Sequence, residues 1–151
     1  MTDQPDTGTD RIERATRFVA APAHDIFELL ADPASHALID GSGSVRAPTD
    51  DRPERLHLGS KFGMKMRMGV PYRITNEVVE FEEDRRIAWR HLGGHVWRYL
   101  LEPTVGGTTV TEEFDWRTSR SPMLLRAMSA PTRNRESIEA TLDRLAAHFE
   151  A

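Results

Sequence analysis

The strict alternation of side chains along residues 61–68 constrains the fold more than any other feature of this sequence. The segment reads KFGMKMRM, which places Phe62 and three methionines on one face of an extended chain and Lys61, Lys65 and Arg67 on the other. A period of two residues is typical of a β-strand with one buried face and one face in water. The segment is therefore predicted to form a strand whose methionine face lies against the interior.

Large side chains recur on the matching faces of the segments that follow. Short turns separate the predicted strands 61–68, 72–81, 85–92, 95–102 and 108–116, so consecutive strands should be antiparallel neighbours in one curved sheet. Flexible methionine and amphipathic tryptophan suit the wall of a variable apolar pocket, although an ordinary core has the same composition. The predicted pocket residues are Met64, Met66, Met68, Trp89, His91, Trp97, Tyr99, Glu112, Phe114 and Trp116.

Helical signals flank this series of strands. Residues 11–20 are strand-like, and Pro22 and Pro33 each open a short helix, because a proline at the first helical position lacks only an N–H that would have no partner there. Residues 132–149 carry apolar side chains at helical spacing, and Pro131 is predicted to separate this long helix from a short one before it. The long helix has the apolar positions Ile138, Leu142, Leu145, Ala146 and Phe149. The predicted fold is α+β, with a curved antiparallel sheet of about seven strands wrapped around a long C-terminal helix and two short helices after the first strand.

Composition excludes several classes of protein. The 151 residues fit one domain, predicted at 11–151 behind a disordered leader at 1–10. A net charge of -4 argues against nucleic-acid binding, and the absence of cysteine rules out disulfides and thiolate sites. The sequence has no apolar run long enough to cross a membrane, and its polar start does not resemble a signal peptide. A cytoplasmic monomer or weak homodimer is expected.

The histidines do not form a recognisable metal motif. They are His24, His36, His57, His91, His95 and His148. No pair has the spacing of two ligands on a predicted helix, and the sequence contains neither HExxH nor GxSxG. His91 and His95 flank the Gly93–Gly94 turn and can approach each other, but a third ligand is not evident. Neither a metal nor a cofactor is expected.

Several short segments occur in an order that resembles one known superfamily. They are VAAPAHDIFELLADP at 19–33, VVEF at 78–81, IAW at 87–89, GGTTVT at 106–111 and LDRL at 142–145. Their order and spacing resemble the helix-grip fold of the SRPBCC superfamily, which includes START-like lipid-binding domains and polyketide cyclase/dehydrase-like proteins. The resemblance spans residues 12–150 and is greatest to small, single-domain members of the polyketide cyclase/dehydrase kind. It implies the fold, whereas this fold serves carriers, receptors, cyclases and chaperone-interaction modules.

Three functions remain open at this stage. The first is binding of a lipid-like or polyketide-like molecule in an internal cavity, since apolar concave sites with a few polar groups are typical ligand sites. The second is a polyketide cyclase or dehydrase that uses His91 and Glu112 as acid and base, with Tyr99 as a relay. With one strand between them and at matched height, these two side chains would be about 10 Å apart. The third is a protein-interaction module of the chaperone-partner or toxin–antitoxin type.

Other polar residues leave further alternatives. His91 and Glu112 can instead satisfy each other or Tyr99 as buried polar groups, and strand parity does not decide whether Arg14, Asn76 or Asp40 faces the cavity. A basic strip lies in a stretch without acidic residues, between Asp115 and Glu136. Its members are Arg117, Arg120, Arg126, Arg133 and Arg135. The strip can attract an anionic head group, an acidic partner or a membrane surface, or it can be ordinary solvated surface.

Overall fold

Seven antiparallel strands form one curved sheet that holds a long helix. The computed structural model describes residues 11–49 and 53–150, so the leader predicted at 1–10 lies outside the described residues. The strands are β1 (Ile12–Val19), β2 (Val45–Pro48), β3 (Lys61–Met68), β4 (Val70–Glu82), β5 (Arg86–His91), β6 (Val96–Thr104) and β7 (Gly107–Asp115). They are arranged in the order β1-β7-β6-β5-β4-β3-β2. From β3 to β7, each strand therefore forms a hairpin with the next strand in the sequence.

Helices occupy the connections that the sequence assigned to them. They are α1 (Ala23–Leu30), a 3-10 turn (Pro33–Ser35) that continues into α2 (His36–Ile39), α3 (Pro122–Ala127) and α4 (Ala130–Glu150). Asp32 caps the 3-10 turn, since its carboxylate accepts a hydrogen bond from the Ala34 N–H at 3.0 Å. The predicted α+β order of one strand, two short helices, a strand meander and a long helix is therefore confirmed. Among the described helices, none is both long enough and apolar enough to cross a bilayer.

The alternation in β3 persists, but its burial fades along the strand. Phe62 and Met64 are buried, whereas Met68, on the same face, is 48% exposed. The strand pairs with β4 over its whole length, and Met68 lies opposite Val70 at the hairpin tip. The methionine face thus runs from the core to the rim of the sheet.

The predicted break at Pro131 is wrong. Helix α4 begins at Ala130 and runs through Pro131 without interruption. Proline in the first turn of a helix removes an N–H that has no partner within the helix, so it permits a helix start there. The break lies two residues earlier, at Ser129, where the backbone has a φ of 55°.

Helix α4 packs against one end of the sheet. It contacts mainly β1 and β7, and its buried apolar residues are Ala130, Ile138, Leu142, Leu145 and Ala146. Phe149, predicted to be buried with them, is only partly buried in the last turn. Because α4 lies at this end, the concave faces of β3 to β6 are not covered by the helix along their full length.

The loop after α2 is held directly against α4. A Cβ atom on Gly41 would lie 2.5 Å from the Cβ of Ala140, so only glycine permits this close approach. The Gly41 N–H donates a hydrogen bond of 2.8 Å to Thr141 Oγ1. These contacts hold Asp40 next to the space between helix and sheet.

Burial of the α4 stripe generates a stability prediction. Truncating Leu142 to alanine leaves a cavity between α4 and the sheet, and such truncations typically cost roughly 2–5 kcal/mol. We expect Leu142→Ala to lower the free energy of unfolding by this amount in urea titrations followed by circular dichroism. Glu136→Ala, at an exposed position of the same helix, is the matched control and should change it by less than about 0.5 kcal/mol. An equal, small effect of both substitutions would contradict this packing.

Candidate functional site

A cavity of about 580 Å³ lies between the concave face of the sheet and the first half of α4. Strands β3 to β7 form one wall, and the α2–β2 segment, α3 and α4 form the other. The lining is mainly apolar and aromatic, as in typical small-molecule sites. Leu125 of α3 and Met128, directly after that helix, contribute to the lining, and Arg133 and Asn134 extend it along α4.

Nine of the ten residues predicted for the pocket line this cavity. They are Met64, Met66, Met68, Trp89, His91, Trp97, Tyr99, Glu112 and Phe114. Trp116 does not line it, because β7 ends at Asp115 and the strand parity used for the prediction does not extend further. Its ring is instead buried, and the guanidinium groups of Arg11 and Arg126 lie 5.5 and 5.1 Å from the ring centroid.

Trp89 is the centre of an aromatic cluster in the cavity wall. Its ring stacks on His36 at 4.8 Å between centroids, and Phe62 and Tyr99 lie 5.6 and 5.8 Å away. His36 Nε2 is 2.8 Å from the carbonyl oxygen of Leu30, and burial lowers the pKa of the ring, so His36 is neutral. Sequence reasoning missed His36, because a single histidine in a four-residue helix carries no periodic signal.

Glu112 is a buried carboxyl group on the cavity face of β7. It pairs across the strands with Tyr99, whose hydroxyl donates a hydrogen bond to the carboxyl group. Burial raises the pKa of Glu112 to about 8, and the nearby charge of Asp40 adds to this, whereas the Tyr99 hydrogen bond opposes it. Burial and the adjacent Glu112 also raise the pKa of Tyr99. Near neutral pH the pair is therefore uncharged.

The neighbouring Glu113 points to the opposite face of the sheet and has the opposite environment. Arg14 and Arg98 lie 2.6 and 2.9 Å from its carboxylate. Arg98 also bonds to Glu80 at 2.6 Å and Asp115 at 3.2 Å. Arg14 and Arg98 thus lie on the convex face, and neither pairs with Glu112.

His91 and His95 stack on each other at the turn that joins β5 to β6. Their ring centroids are 4.5 Å apart with 10° between the planes. His91 Nδ1 accepts a hydrogen bond from the Gly93 N–H at 3.0 Å, so the proton of the neutral ring is on Nε2. Burial lowers the pKa of both rings, that of His95 to about 4, where the neighbouring His91 also contributes.

The turn that carries these histidines is locked to the segment before α3. Gly94 has a φ of 96°, and a Cβ atom there would lie 2.3 Å from the carbonyl oxygen of Thr118. The Thr118 hydroxyl donates to the carbonyl of Gly94 at 2.5 Å, and the Arg120 N–H donates to that of Gly93 at 2.9 Å. The positions of both rings therefore depend on contacts distant in sequence.

The expected matched height of His91 and Glu112 is wrong. Strand pairing aligns Glu112 with Tyr99, and Tyr99 with Ile87. His91 lies four residues beyond Ile87, a displacement of roughly 13 Å along the strand direction. Pairing on the other side aligns His91 with Asn76 on β4. Tyr99 is therefore a direct partner of Glu112 and does not lie between the two groups.

The basic strip divides into separate roles. Arg117 pairs with Asp115 at 2.7 Å, Arg126 covers Trp116, and Arg133 lines the cavity. Arg135 is exposed and lies 4.0 Å from Glu139. These four arginines of the strip therefore have separate contacts.

One group of possible metal ligands occurs in the described part of the chain, and it is distant from the cavity. It consists of His24, Glu83 and Asp84 on the surface near the β4–β5 turn. His24 Nδ1 is bonded to Asp84 at 3.1 Å, and Arg55 is paired with both Glu83 and Glu28. These partners account for the cluster as a surface ion-pair network.

The neutral state of Glu112 predicts a pH dependence of stability. In the folded chain the pKa of Glu112 is about 8, against an ordinary value near 4.5. Between these values the folded state holds more protons than the unfolded state, so the contribution of Glu112 to stability falls as pH rises. We expect Glu112→Gln to gain in stability relative to the wild type by up to roughly 1.4 kcal/mol per pH unit in this interval, measured by urea unfolding from pH 5 to 9.

Glu102→Gln, at an exposed position of β6, is the control for that experiment. Its stability relative to the wild type should not change over the same pH range. If Glu112→Gln also kept a constant difference from the wild type, Glu112 would not be held neutral by burial.

Comparison with known proteins relates this architecture to others. An uncharacterized protein of Mycobacterium tuberculosis H37Rv, Rv0088, is 38% identical over 152 residues, which cover 95% of this chain and 66% of that protein. The chain therefore spans about two thirds of the length of the curated relatives it matches.

Solved structures show the same fold at low sequence identity. Protein CV1439 from Chromobacterium violaceum superposes with a TM-score of 0.72 at 17% identity, covering 94% of this chain and 99% of that one. The Polyketide_cyc-like protein Cgl2372 from Corynebacterium glutamicum superposes with a TM-score of 0.61 at 16% identity, covering 97% and 94%. These similarities confirm the helix-grip fold.

A family model described as polyketide cyclase / dehydrase and lipid transport matches residues 13–150. The match includes every strand except the first residue of β1, and it includes both walls of the cavity. Together with the curled sheet that grips α4, it shows that the chain belongs to the polyketide cyclase/dehydrase and lipid transport family.

Proposed function

We propose that this chain binds a lipid-like or polyketide-like small molecule in the cavity between the sheet and α4. The observation that carries the proposal is the cavity itself, whose volume of about 580 Å³ falls within the range of roughly 300–1,000 Å³ common for ligand sites. The family and the fold suggest a hydrophobic ligand-binding role in general, and the lining of this cavity supports the more specific proposal.

The composition of the wall supports a ligand with a large apolar body. Methionines from β3 form one side, and Trp89 and Trp97 form another. Methionine side chains adapt to irregular shapes because they are unbranched and flexible, while the indole rings offer wide apolar surfaces. Such a wall favours contact with chains or fused rings over recognition of a small polar metabolite.

Surface-mediated protein interaction, the third possibility from the sequence, has less support. The exposed apolar residues of α3, Met123 and Leu124, are few, and two members of the basic strip are engaged within the chain, Arg117 with Asp115 and Arg126 with Trp116. The expectations of a cytoplasmic location, of a monomer or weak homodimer and of no nucleic-acid partner stay predictions.

A second candidate function is cyclisation or dehydration of a polyketide-like substrate. It is favoured by the burial of Glu112 beside the Tyr99 hydroxyl, which raises the pKa of the carboxyl group to about 8. A carboxyl group whose pKa is near the working pH can act as a general acid and, once ionised, as a base. His91 lies too far from Glu112 along the strands to act on the same substrate atom. This candidate therefore places the chemistry on Glu112 and Tyr99.

The enzymatic candidate is tested with a poly-β-ketone substrate analogue. If the chain catalyses its cyclisation or dehydration, Glu112→Gln and Tyr99→Phe should each lower the rate by roughly 100-fold or more while ligand binding persists. Product formation is followed by liquid chromatography and mass spectrometry. A rate equal to the uncatalysed reaction with the wild-type protein would leave binding as the function.

The binding proposal is tested with the uncharged apolar probe N-phenyl-1-naphthylamine, whose fluorescence rises in apolar surroundings. We expect saturable binding to the wild type. Met66→Trp places a larger side chain in the cavity wall and should weaken binding by about tenfold, or roughly 1.4 kcal/mol. Native mass spectrometry of the freshly purified protein should also detect a bound apolar molecule, and less of it in this variant.

Met123→Trp is the matched control, because Met123 is exposed on α3 and does not line the cavity. It should bind the probe with the affinity of the wild type. Equal loss in both variants, or no saturable binding to the wild type, would contradict a ligand site in this cavity.

A further inference from the structure

Two polar atoms in the cavity wall have no hydrogen-bond partner among the described residues. They are Oε2 of Glu112 and Oδ1 of Asn76, and each residue is only 4% exposed. Both residues line the cavity. Buried polar atoms in proteins are almost always paired, because an unpaired one loses its hydrogen bonds to water without compensation. A ligand that pairs with these two atoms recovers that loss.

The unpaired oxygen of Glu112 can donate a hydrogen bond to a ligand when the carboxyl group is protonated. Its carboxyl group accepts a hydrogen bond from the Tyr99 hydroxyl, and the charged group that acts on it is the acid Asp40. The arginines of this region bind Glu113 on the convex face, so they do not compensate a negative charge on Glu112. The carboxyl group therefore keeps its own proton, and a protonated carboxyl group offers one O–H to an acceptor.

Asn76 supplies the complementary position. Its free atom is an amide oxygen, which accepts hydrogen bonds and cannot donate them. It lies on β4 opposite His91, toward the end of the cavity where His91 and His95 stack. A ligand hydroxyl or N–H group is the partner that this oxygen requires.

The two positions are well separated. Strand order places Asn76 on β4 and Glu112 on β7, three strands apart, and their registers differ by about four residues. With strands about 4.8 Å apart and about 3.3 Å per residue along a strand, the two groups are on the order of 15–20 Å from each other in a curved sheet. One ligand must therefore carry its acceptor and its donor at opposite ends of an apolar body.

We propose that the ligand of this cavity is an uncharged, elongated apolar molecule with a carbonyl oxygen at one end, which accepts from Glu112, and a hydroxyl or N–H group at the other, which donates to Asn76. This inference rests on the proposed ligand-binding function and specifies its ligand class. An organic anion would be repelled by Asp40 and by any ionised Glu112. An organic cation would require Glu112 to ionise in apolar surroundings and would approach Arg133 on α4.

Four compounds of equal chain length test the two positions separately. They are 2-dodecanone, 1-dodecanol, 12-hydroxydodecan-2-one and dodecylammonium, each measured by displacement of N-phenyl-1-naphthylamine. Glu112→Leu should weaken binding of the two ketones by about tenfold and leave 1-dodecanol unchanged. Asn76→Leu should weaken the two alcohols by a similar factor and leave 2-dodecanone unchanged. Glu102→Leu, exposed on β6, is the control and should change none of the affinities.

Glu112→Gln gives an independent measurement that does not depend on the folding of the leucine variant. Glutamine offers an N–H donor at every pH, so this variant should bind 2-dodecanone equally at pH 6 and pH 9. The wild type should lose affinity for 2-dodecanone above about pH 8, as burial holds the pKa of Glu112 near that value. The other titratable groups that line this cavity are Tyr72, Tyr99, Asp40, His36, His91, His95 and Arg133, and they are present in both proteins.

The outcomes separate this inference from the proposed function. If the naphthylamine probe does not bind the wild type, ligand binding in the cavity itself is contradicted. If the probe binds but the leucine variants do not discriminate ketones from alcohols, or wild type and Glu112→Gln share one pH profile, the assignment of the two positions is overturned while the cavity remains a ligand site. Tighter binding of dodecylammonium than of 2-dodecanone would also overturn it, in favour of an organic cation.

Discussion

The whole site depends on how helix α4 is buried. Its apolar stripe packs against β1 and β7 at one end of the sheet, and the loop at Gly41 is pressed against its middle. A sheet twists and curves away from such a helix, because adjacent strands are rotated relative to one another. The concave faces of β3 to β6 are then too far from α4 to be filled by it. The cavity is the space that remains, so the contacts that stabilise the fold also create the site.

Two adjacent glutamates on β7, Glu112 and Glu113, lie in opposite environments. Glu113 on the convex face has two arginines within 3 Å, and it contributes to an ion-pair network centred on Arg98. Glu112 on the concave face has the Tyr99 hydroxyl and the acid Asp40 nearby, and burial raises its pKa to about 8. Two identical side chains thus differ in charge because successive residues of a strand point to opposite faces. The apolar lining around Glu112 raises the strength of any hydrogen bond that it makes with a ligand, since little water competes there.

The sequence pattern predicts the elements correctly where burial of one face is the only constraint. The period of two in β3, the hairpin signals at Gly93–Gly94 and Gly106–Gly107 and the helical spacing of Ile138, Leu142 and Leu145 each reflect burial of one face, and the structure has the corresponding elements. Prediction fails at the ends of elements. The sequence predicts a break at Pro131, which lies in the first turn of α4, and places Trp116 in the cavity, although its strand ends one residue earlier.

By itself, then, the sequence determined the order of elements, the antiparallel meander and the faces that turn inward, because these follow from residue spacing along a single chain. Only the tertiary structure decided which polar groups meet. Register set Glu112 beside Tyr99 and His91 beside Asn76, the short helix α2 brought His36 onto Trp89, and the unpaired oxygens of Asn76 and Glu112 became visible only once every neighbour was in place. Hydrogen-bond satisfaction and pKa depend on distances of a few ångströms across different elements, and residue spacing within one strand or helix does not encode them.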